Sequence, residues 1–186
     1  MTDKKWLYDY LGLFNKTIIN DEVIENLTVL KNLILETNKR GNKLIFSGNG
    51  GSAAMSSHCA VDLTKNAKVK AINFNESDLI TCFANDYGYE HWVAKALGFY
   101  ANKGDLVVLI SSSGSSQNIL NAAKQAKELG LKVVTFTGFE SSNKLKCEGD
   151  LNFWVNSKAY NIIEMTHHIW ILAVVDLIIG SAEYSA

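Results

Sequence analysis

The sequence predicts an α/β domain in which a parallel sheet is covered by helices on both faces. Three observations carry that prediction. Short apolar runs alternate with stretches of helical periodicity along the 186 residues. The run Leu106 to Ile110 is apolar without a break, the pattern of a strand buried on both faces. Two glycine- and serine-rich loops each fall between a strand and a helix. Strands that alternate with helices imply right-handed crossovers and a parallel sheet, with ligands expected at the carboxyl ends of its strands.

The elements follow in order. Trp6 to Ile19 has helical spacing, and Asn20 caps a second helix that carries Asp21 and Glu22 in its first turn and runs to about Lys39. Gly41 suits the position after its end. Leu44 to Phe46 is a short strand, followed by Ser47-Gly-Asn-Gly-Gly-Ser52 and a helix from about Ala53 to Lys65. Val69 to Phe74 alternates as a strand does, and Tyr89 to Tyr100 reads as a helix. After the strand Leu106 to Ile110 come Ser111-Ser-Ser-Gly-Ser-Ser116 and a helix from Asn118 to Leu129, stopped by Gly130. Val133 to Phe136 and Leu151 to Val155 are the remaining strands, and Ile162 to Ile179 is a long final helix. With no proline in the chain, glycine, asparagine and serine mark the turns. No linker divides the sequence, so residues 1–186 are read as one domain: N-terminal helices over 1–40 and an α/β core over 41–186.

Composition narrows the function. A net charge of −1 without a basic stripe argues against nucleic acid as the main ligand. The N-terminal segment lacks the apolar centre of a signal peptide. The apolar run Ile169 to Ile179 is broken by Asp176 and is too short to span a bilayer, so no membrane role is expected. Cys59, Cys82 and Cys147 form neither a zinc-ligand pattern nor a disulfide framework, which fits a reducing cytoplasm.

The two loops carry the chemistry. Glycines let the backbone approach a ligand without a Cβ in the way. The helix that follows each loop offers free N–H groups and the positive end of its dipole. The chain has one arginine, Arg40, so backbone N–H groups and serine hydroxyls are the best available partners for a phosphate. The first loop lacks the Gly-x-Gly-x-x-Gly spacing of a dinucleotide site, and no Gly-Lys-Ser/Thr makes either a nucleotide P-loop.

Phe46-Ser-Gly-Asn-Gly-Gly-Ser-Ala-Ala54, with His58 and Asp62 beyond it, resembles the first signature of the sugar isomerase (SIS) domain family. Ile110-Ser-Ser-Ser-Gly-Ser-Ser-Gln-Asn118 is similar to the second. Within the family the chain is most similar to the sedoheptulose 7-phosphate isomerases, and Ala84-Asn-Asp-Tyr-Gly88 and Val133-Val-Thr-Phe-Thr-Gly138 extend the likeness over nearly the whole chain. The resemblance implies a flavodoxin-like five-stranded parallel sheet and a homotetramer with sites at subunit interfaces. It also implies interconversion of a ketoheptose and an aldoheptose phosphate in bacterial heptose synthesis. Carried over by position, Asn49, Gly50, Gly51, Ser52, Asn85 and Asp86 would contact the sugar, and Ser111, Ser112, Ser113 and Ser116 would hold the phosphate.

Ketose–aldose isomerisation moves a proton between adjacent carbons, which requires a base at carbon and a group that steadies the oxygens. The resemblance places the base at Asp62, where the family has glutamate, one turn after His58. On the final helix, Glu164 takes the slot of a family glutamine and Leu172 that of a family histidine eight residues later. His167 and His168 are the nearest replacements for that acid, and Glu164 and His168 share a helix face. His58, Asp62, Glu164 and His168 are chemically suitable zinc ligands, so the sequence admits a zinc ion without requiring any cofactor. Two other readings stay open: a sugar-phosphate-binding SIS protein without catalysis, and an isomerase of another sugar phosphate.

Overall fold

The computed structural model describes residues 1–184; Ser185 and Ala186, inside the domain boundary drawn above, lie outside the described residues. Five parallel strands form one sheet in the order β2-β1-β3-β4-β5. They are β1 (Leu44–Gly48), β2 (Ala71–Asn73), β3 (Leu106–Ser111), β4 (Lys132–Thr137) and β5 (Leu151–Trp154). The helices are α1 (Asp3–Thr17), α2 (Asp21–Lys39), α3 (Gly51–Lys65), α4 (Ser77–Tyr87), α5 (Trp92–Tyr100), α6 (Gln117–Glu128) and α7 (Tyr160–Ile179), with a 3-10 turn at Leu145–Glu148. This is the flavodoxin-like order, in which the chain reverses direction between β1 and β3.

β3 lies at the centre because its six residues are all buried, and it pairs with β1 on one side and β4 on the other. Its pleat sorts the core. Leu106, Val108 and Ile110 join Leu44, Phe46, Val134, Phe136 and Phe153 against α2, α3 and α7. Val107 and Leu109 join Ile45 and Val133 against α5 and α6 on the opposite face. At the amino ends of the sheet, buried Asp105 ties β1 to β3. Its carboxylate accepts from the backbone N–H of Lys43 (3.0 Å), the Lys43 ammonium (2.5 Å), the Asn102 N–H (2.8 Å) and the Asn42 amide (3.2 Å). Burial by itself would raise the Asp105 pKa, but those donors together hold it below the usual carboxylate value.

Asn20 caps α2 as expected, accepting from the Val23 N–H at 2.9 Å, and Val23, Leu27, Leu30 and Ile34 form the buried stripe of that helix. Besides shifts of one to three residues at several element ends, two regions differ from the sequence reading. Residues 77–87, expected as connection, form α4; Glu76 caps it through the Leu79 N–H (3.0 Å), and Leu79, Ile80 and Phe83 pack partly buried against the core. The predicted helix Tyr89–Tyr100 starts instead at Trp92, because Gly88 (φ +84°) turns the chain between α4 and α5.

At twenty residues α7 is long and apolar enough to cross a membrane, so the expectation from its shorter apolar run understated its length. Instead it packs against α2 and α3, burying Ile162, Ile163, Thr166, His167, Trp170, Ile171, Val174 and Val175. The Trp170 indole N–H donates to the Ile18 carbonyl (2.8 Å) and the Thr17 and Thr166 hydroxyls pair (3.1 Å), fastening the end of α1 to it.

His167 belongs to this core. It is fully buried, and its Nε2–H donates to the Thr137 carbonyl at 2.9 Å. Burial pushes its pKa down to about 4, against the opposing effect of that hydrogen bond. The unfolded chain therefore takes up this proton near pH 6.5 and the folded chain only near pH 4. His167 contributes its stability in full above pH 6.5, and that contribution is lost as pH falls through this window. Thermal unfolding should show the melting temperature falling between pH 6.5 and 4, less steeply for His167→Gln, which keeps an N–H donor and cannot titrate.

Candidate functional site

Because β1 and β3 are neighbours in register, with Gly48 opposite Ile110, their two loops emerge side by side at the reversal point of the sheet. After β1, Gly48 packs against Ser52, where a Cβ would come within 2.6 Å of the Ser52 Cβ. Gly50 then takes φ +55° and ψ −123°, a conformation open to glycine alone, so that α3 can begin at Gly51. After β3, Ser111 to Ser116 turn through Gly114 at φ +63° into α6.

The serine loop is held from below. The Gly114 N–H donates to the Ser111 carbonyl (2.9 Å), the Leu145 N–H to the Gly114 carbonyl (3.0 Å), and the Gly138 N–H to the Ser112 carbonyl (2.9 Å). Buried Asn143 packs directly on Gly114 while its amide donates to the Gly138 (3.3 Å) and Glu140 (2.9 Å) carbonyls. Ser111 Oγ donates to Ser116 Oγ at 3.2 Å. Ser112 Oγ is buried without a hydrogen-bond partner among the described residues, and Ser116 makes no side-chain cap on α6. Hydroxyls and the first N–H groups of α6 are thus left to serve a ligand.

Between the loops lies a cavity of about 120 Å3 lined by Asn49, Ser52, Ile110, Ser111, Ser112, Ser113, Ser116, Tyr160 and Glu164. Seven of the residues named from the sequence therefore meet around one space, framed by Gly50 and Gly51. Glu164 reaches it from α7 and rests against Gly51, in the place a Cβ there would occupy. Its carboxylate thus sits at the positive end of α3. A larger groove of about 870 Å3 runs between α1, α2 and β5, but neither loop reaches it. Convergence of hydroxyls and helix starts, not size, makes the smaller cavity the candidate site for an anion.

A second cluster lies along the seam where α3 and α7 pack together. His58 Nε2 is 3.2 Å from Asp62 Oδ2, and the His58 and His168 rings meet edge to face with centroids 4.8 Å apart. Burial lowers the His168 pKa, His58 lowers it further, and Asp62 opposes them. His168 Nε2 has no hydrogen-bond partner among the described residues. Leu172 continues the stripe of Glu164 and His168, so the next polar place on this face of α7 is apolar.

Three predicted residues are not brought here. Asn85 and Asp86, expected in a loop after the second strand, stand on the exposed last turn of α4, where the Asn85 amide donates to Asp86 (2.9 Å). His167 faces Thr137 and Phe136 in the core, about 100° around α7 from His168, and so lies outside both clusters. Nor do the four candidate metal ligands converge. Glu164 is at the cavity, one turn before His168, and no group of three or more His, Cys, Asp or Glu among the described residues is placed to share a metal ion. As arranged, these donors do not fit a shared zinc ion. Sequence reasoning missed Tyr160, which lines the cavity from the first residue of α7 without a motif to signal it.

Fold and site together define a doubly wound α/β protein with a small hydroxyl-lined cavity between paired helix starts. A model of the SIS domain matches residues 15–138. The chain is 36% identical to the phosphoheptose isomerase of Aliarcobacter butzleri over 149 residues, 77% of this chain and 78% of that protein. It is also 36% identical to that of Mycobacterium tuberculosis over 165 residues, covering 84% and 83%. Among solved structures, the phosphoheptose isomerase of Neisseria gonorrhoeae superposes with a TM-score of 0.88 at 27% identity, over 95% of this chain and 99% of that one. The chain belongs to the SIS domain family.

The two glycines at the cavity should respond differently to alanine. Gly114→Ala forces a methyl into a positive-φ turn and onto Asn143. It should lower the melting temperature by roughly 5 °C or more and weaken inorganic phosphate at least tenfold. Gly51→Ala meets only the mobile end of Glu164 in a helical position, so its melting temperature should stay within about 2 °C of the parent. Thermal unfolding and calorimetric titration with phosphate check both.

Proposed function

We infer that this chain is an aldose–ketose isomerase that converts sedoheptulose 7-phosphate to D-glycero-D-manno-heptose 7-phosphate in bacterial heptose biosynthesis. The observation that carries the reading is the placement of a serine-lined anion cavity at one end of the α3–α7 seam and a His–Asp–His cluster further along it. The names of its relatives, phosphoheptose isomerases, supply the substrate.

The seam acts as a ruler. His58 lies seven residues beyond Gly51, about 10 Å along α3, and Asp62 about 16 Å. A seven-carbon chain anchored by a terminal phosphate extends in this direction, so its carbonyl end lies near the imidazoles and its ester near the serines. Ser111, Ser112, Ser113 and Ser116 hold the ester together with the start of α6, while Asn49, Gly50, Gly51, Ser52 and Glu164 bind the sugar hydroxyls. Asp62 acts as the base. It takes the proton from C1 of the ketose, giving an enediol, and returns a proton to C2. His168, kept neutral by burial and by His58, exchanges protons with the two oxygens. The shorter reach of Asp62 compared with a glutamate is met by a substrate that sits close to α3. No step runs through a metal ion.

Four copies of the chain assemble, with sites at their interfaces. Supporting this, α1 buries none of its fifteen residues, with Trp6, Leu7, Tyr8, Leu11 and Leu13 exposed, and α7 exposes Met165, Ile169 and Leu177. In that assembly the exposed Asn85 and Asp86 reach the sugar of a neighbouring subunit. Its three free cysteines suit the cytoplasm.

The test is incubation with sedoheptulose 7-phosphate in D2O. Deuterium at the exchanging carbon and aldose product are expected. A protein that binds the sugar phosphate without exchange is a binding protein instead, the reading that Leu172 on the stripe of Glu164 and His168 favours. Asp62→Asn should lower the exchange rate at least 100-fold while the substrate still binds. Glu164→Gln should mainly raise KM. If those two results are interchanged, Glu164 is the base.

A further inference from the structure

Asn49 is not free to choose how it meets a ligand. Asn118, the second residue of α6 and 3% exposed, pairs with it in both directions. Its Nδ2 donates to Asn49 Oδ1 at 2.8 Å, and its Oδ1 accepts from Asn49 Nδ2 at 2.9 Å. Tyr89, in the turn between α4 and α5, donates its hydroxyl to the same Asn49 Oδ1 at 3.1 Å. The pair therefore crosses the reversal point of the sheet, tying the loop after β1 to the helix after the serine loop, and Tyr89 reaches it from a third element.

The accounting of the Asn49 amide is informative. A carbonyl oxygen has two lone-pair positions, and both are filled, by Asn118 and by Tyr89. The amide nitrogen has two hydrogens, of which Asn118 takes one. Asn49 is left with one N–H and no open acceptor, and it lines the cavity. We propose that Asn118, assisted by Tyr89, is a positioning residue that locks the Asn49 amide so that it presents a single donor to an oxygen of the bound sugar, in fixed register with the phosphate loop. This rests on the isomerase reading for its substrate and on the hydrogen-bond geometry for its form.

A buried asparagine that merely stabilised the fold would affect sugar and phosphate alike. The two roles separate in Asn118→Asp, which keeps the size of the side chain and its acceptor for Asn49 Nδ2 but sets a second oxygen against Asn49 Oδ1. With full-length protein, Asn118→Asp adds a negative charge at the start of α6 that weakens every phosphate ligand, so the expected signature is a loss in kcat/KM for sedoheptulose 7-phosphate at least tenfold greater than the loss in affinity for inorganic phosphate. Tyr89→Phe, at an exposed position that cannot unfold the protein, should lose about threefold in the same direction, the size of one neutral hydrogen bond on a steadying partner. Unchanged kcat/KM in both variants overturns the proposal, as does a parallel loss of sugar and phosphate binding in Asn118→Asp. If Asn118→Asp does not fold, Tyr89→Phe decides alone. If the parent protein does not turn over the sugar, the isomerase reading has failed independently. The clamp is then judged from a crystal structure of Asn118→Asp, in which Asn49 must be seen to leave its present rotamer; an unmoved Asn49 overturns the proposal.

Discussion

The pairing of β1 with β3 is the constraint on which the rest of the molecule depends. Parallel strands that are neighbours in the sheet but separated by the whole of α3, β2, α4 and α5 in sequence set their carboxyl ends side by side. Each then hands the chain to a helix whose first N–H groups have no partner within that helix. Asp105 fixes the opposite ends of the same two strands with four hydrogen bonds, so the register that aligns Gly48 with Ile110 is held from both directions. A slip of one residue would turn Leu106, Val108 and Ile110 onto the wrong face and separate the loops at the same time. Core packing and ligand binding therefore impose the same register.

The α3–α7 seam divides the chemistry by distance. The cavity end carries the serine hydroxyls and amides of the two loops together with the Glu164 carboxylate, and the imidazoles and Asp62 stand further along the two packed helices. Glu164 belongs to the first region, and His58, Asp62 and His168 to the second. Gly51 links them, because only a residue without a side chain lets the Glu164 carboxylate settle on the start of α3.

Most of the architecture was legible in the sequence because β1, β3 and β4 are centred on short apolar stretches that end in turn residues, and because Asn20 and the glycines mark helix ends. Six of the cavity residues were legible through their loops and Glu164 through its place on the final helix, and the pairing of His58 with Asp62 followed from helical spacing. What was not legible depended on burial. Nothing in Thr166-His167-His168 says which imidazole faces the core; the phase of α7 against Phe136 and Trp170 decides it. The helix that carries Asn85 and Asp86 is an exception, because Leu79, Ile80 and Phe83 recur at helical spacing, a signal the sequence did carry. Asn118 and Asn143 act on residues far away in sequence, and no local pattern reveals such partners.

The cavity between the loops has no lysine or arginine in its lining, and its one charged residue is Glu164. A pocket built from hydroxyl and amide dipoles has a field that decays over a few ångströms, unlike that of a full charge. Such a pocket does not draw anions from bulk solution, and added salt has little to screen. Capture is thus governed by fit at contact rather than by attraction at a distance. In a cell crowded with nucleotides and polyphosphates, a small cradle without a cation, with the Glu164 carboxylate in its lining, offers little hold to anions that do not also fit the space beside it.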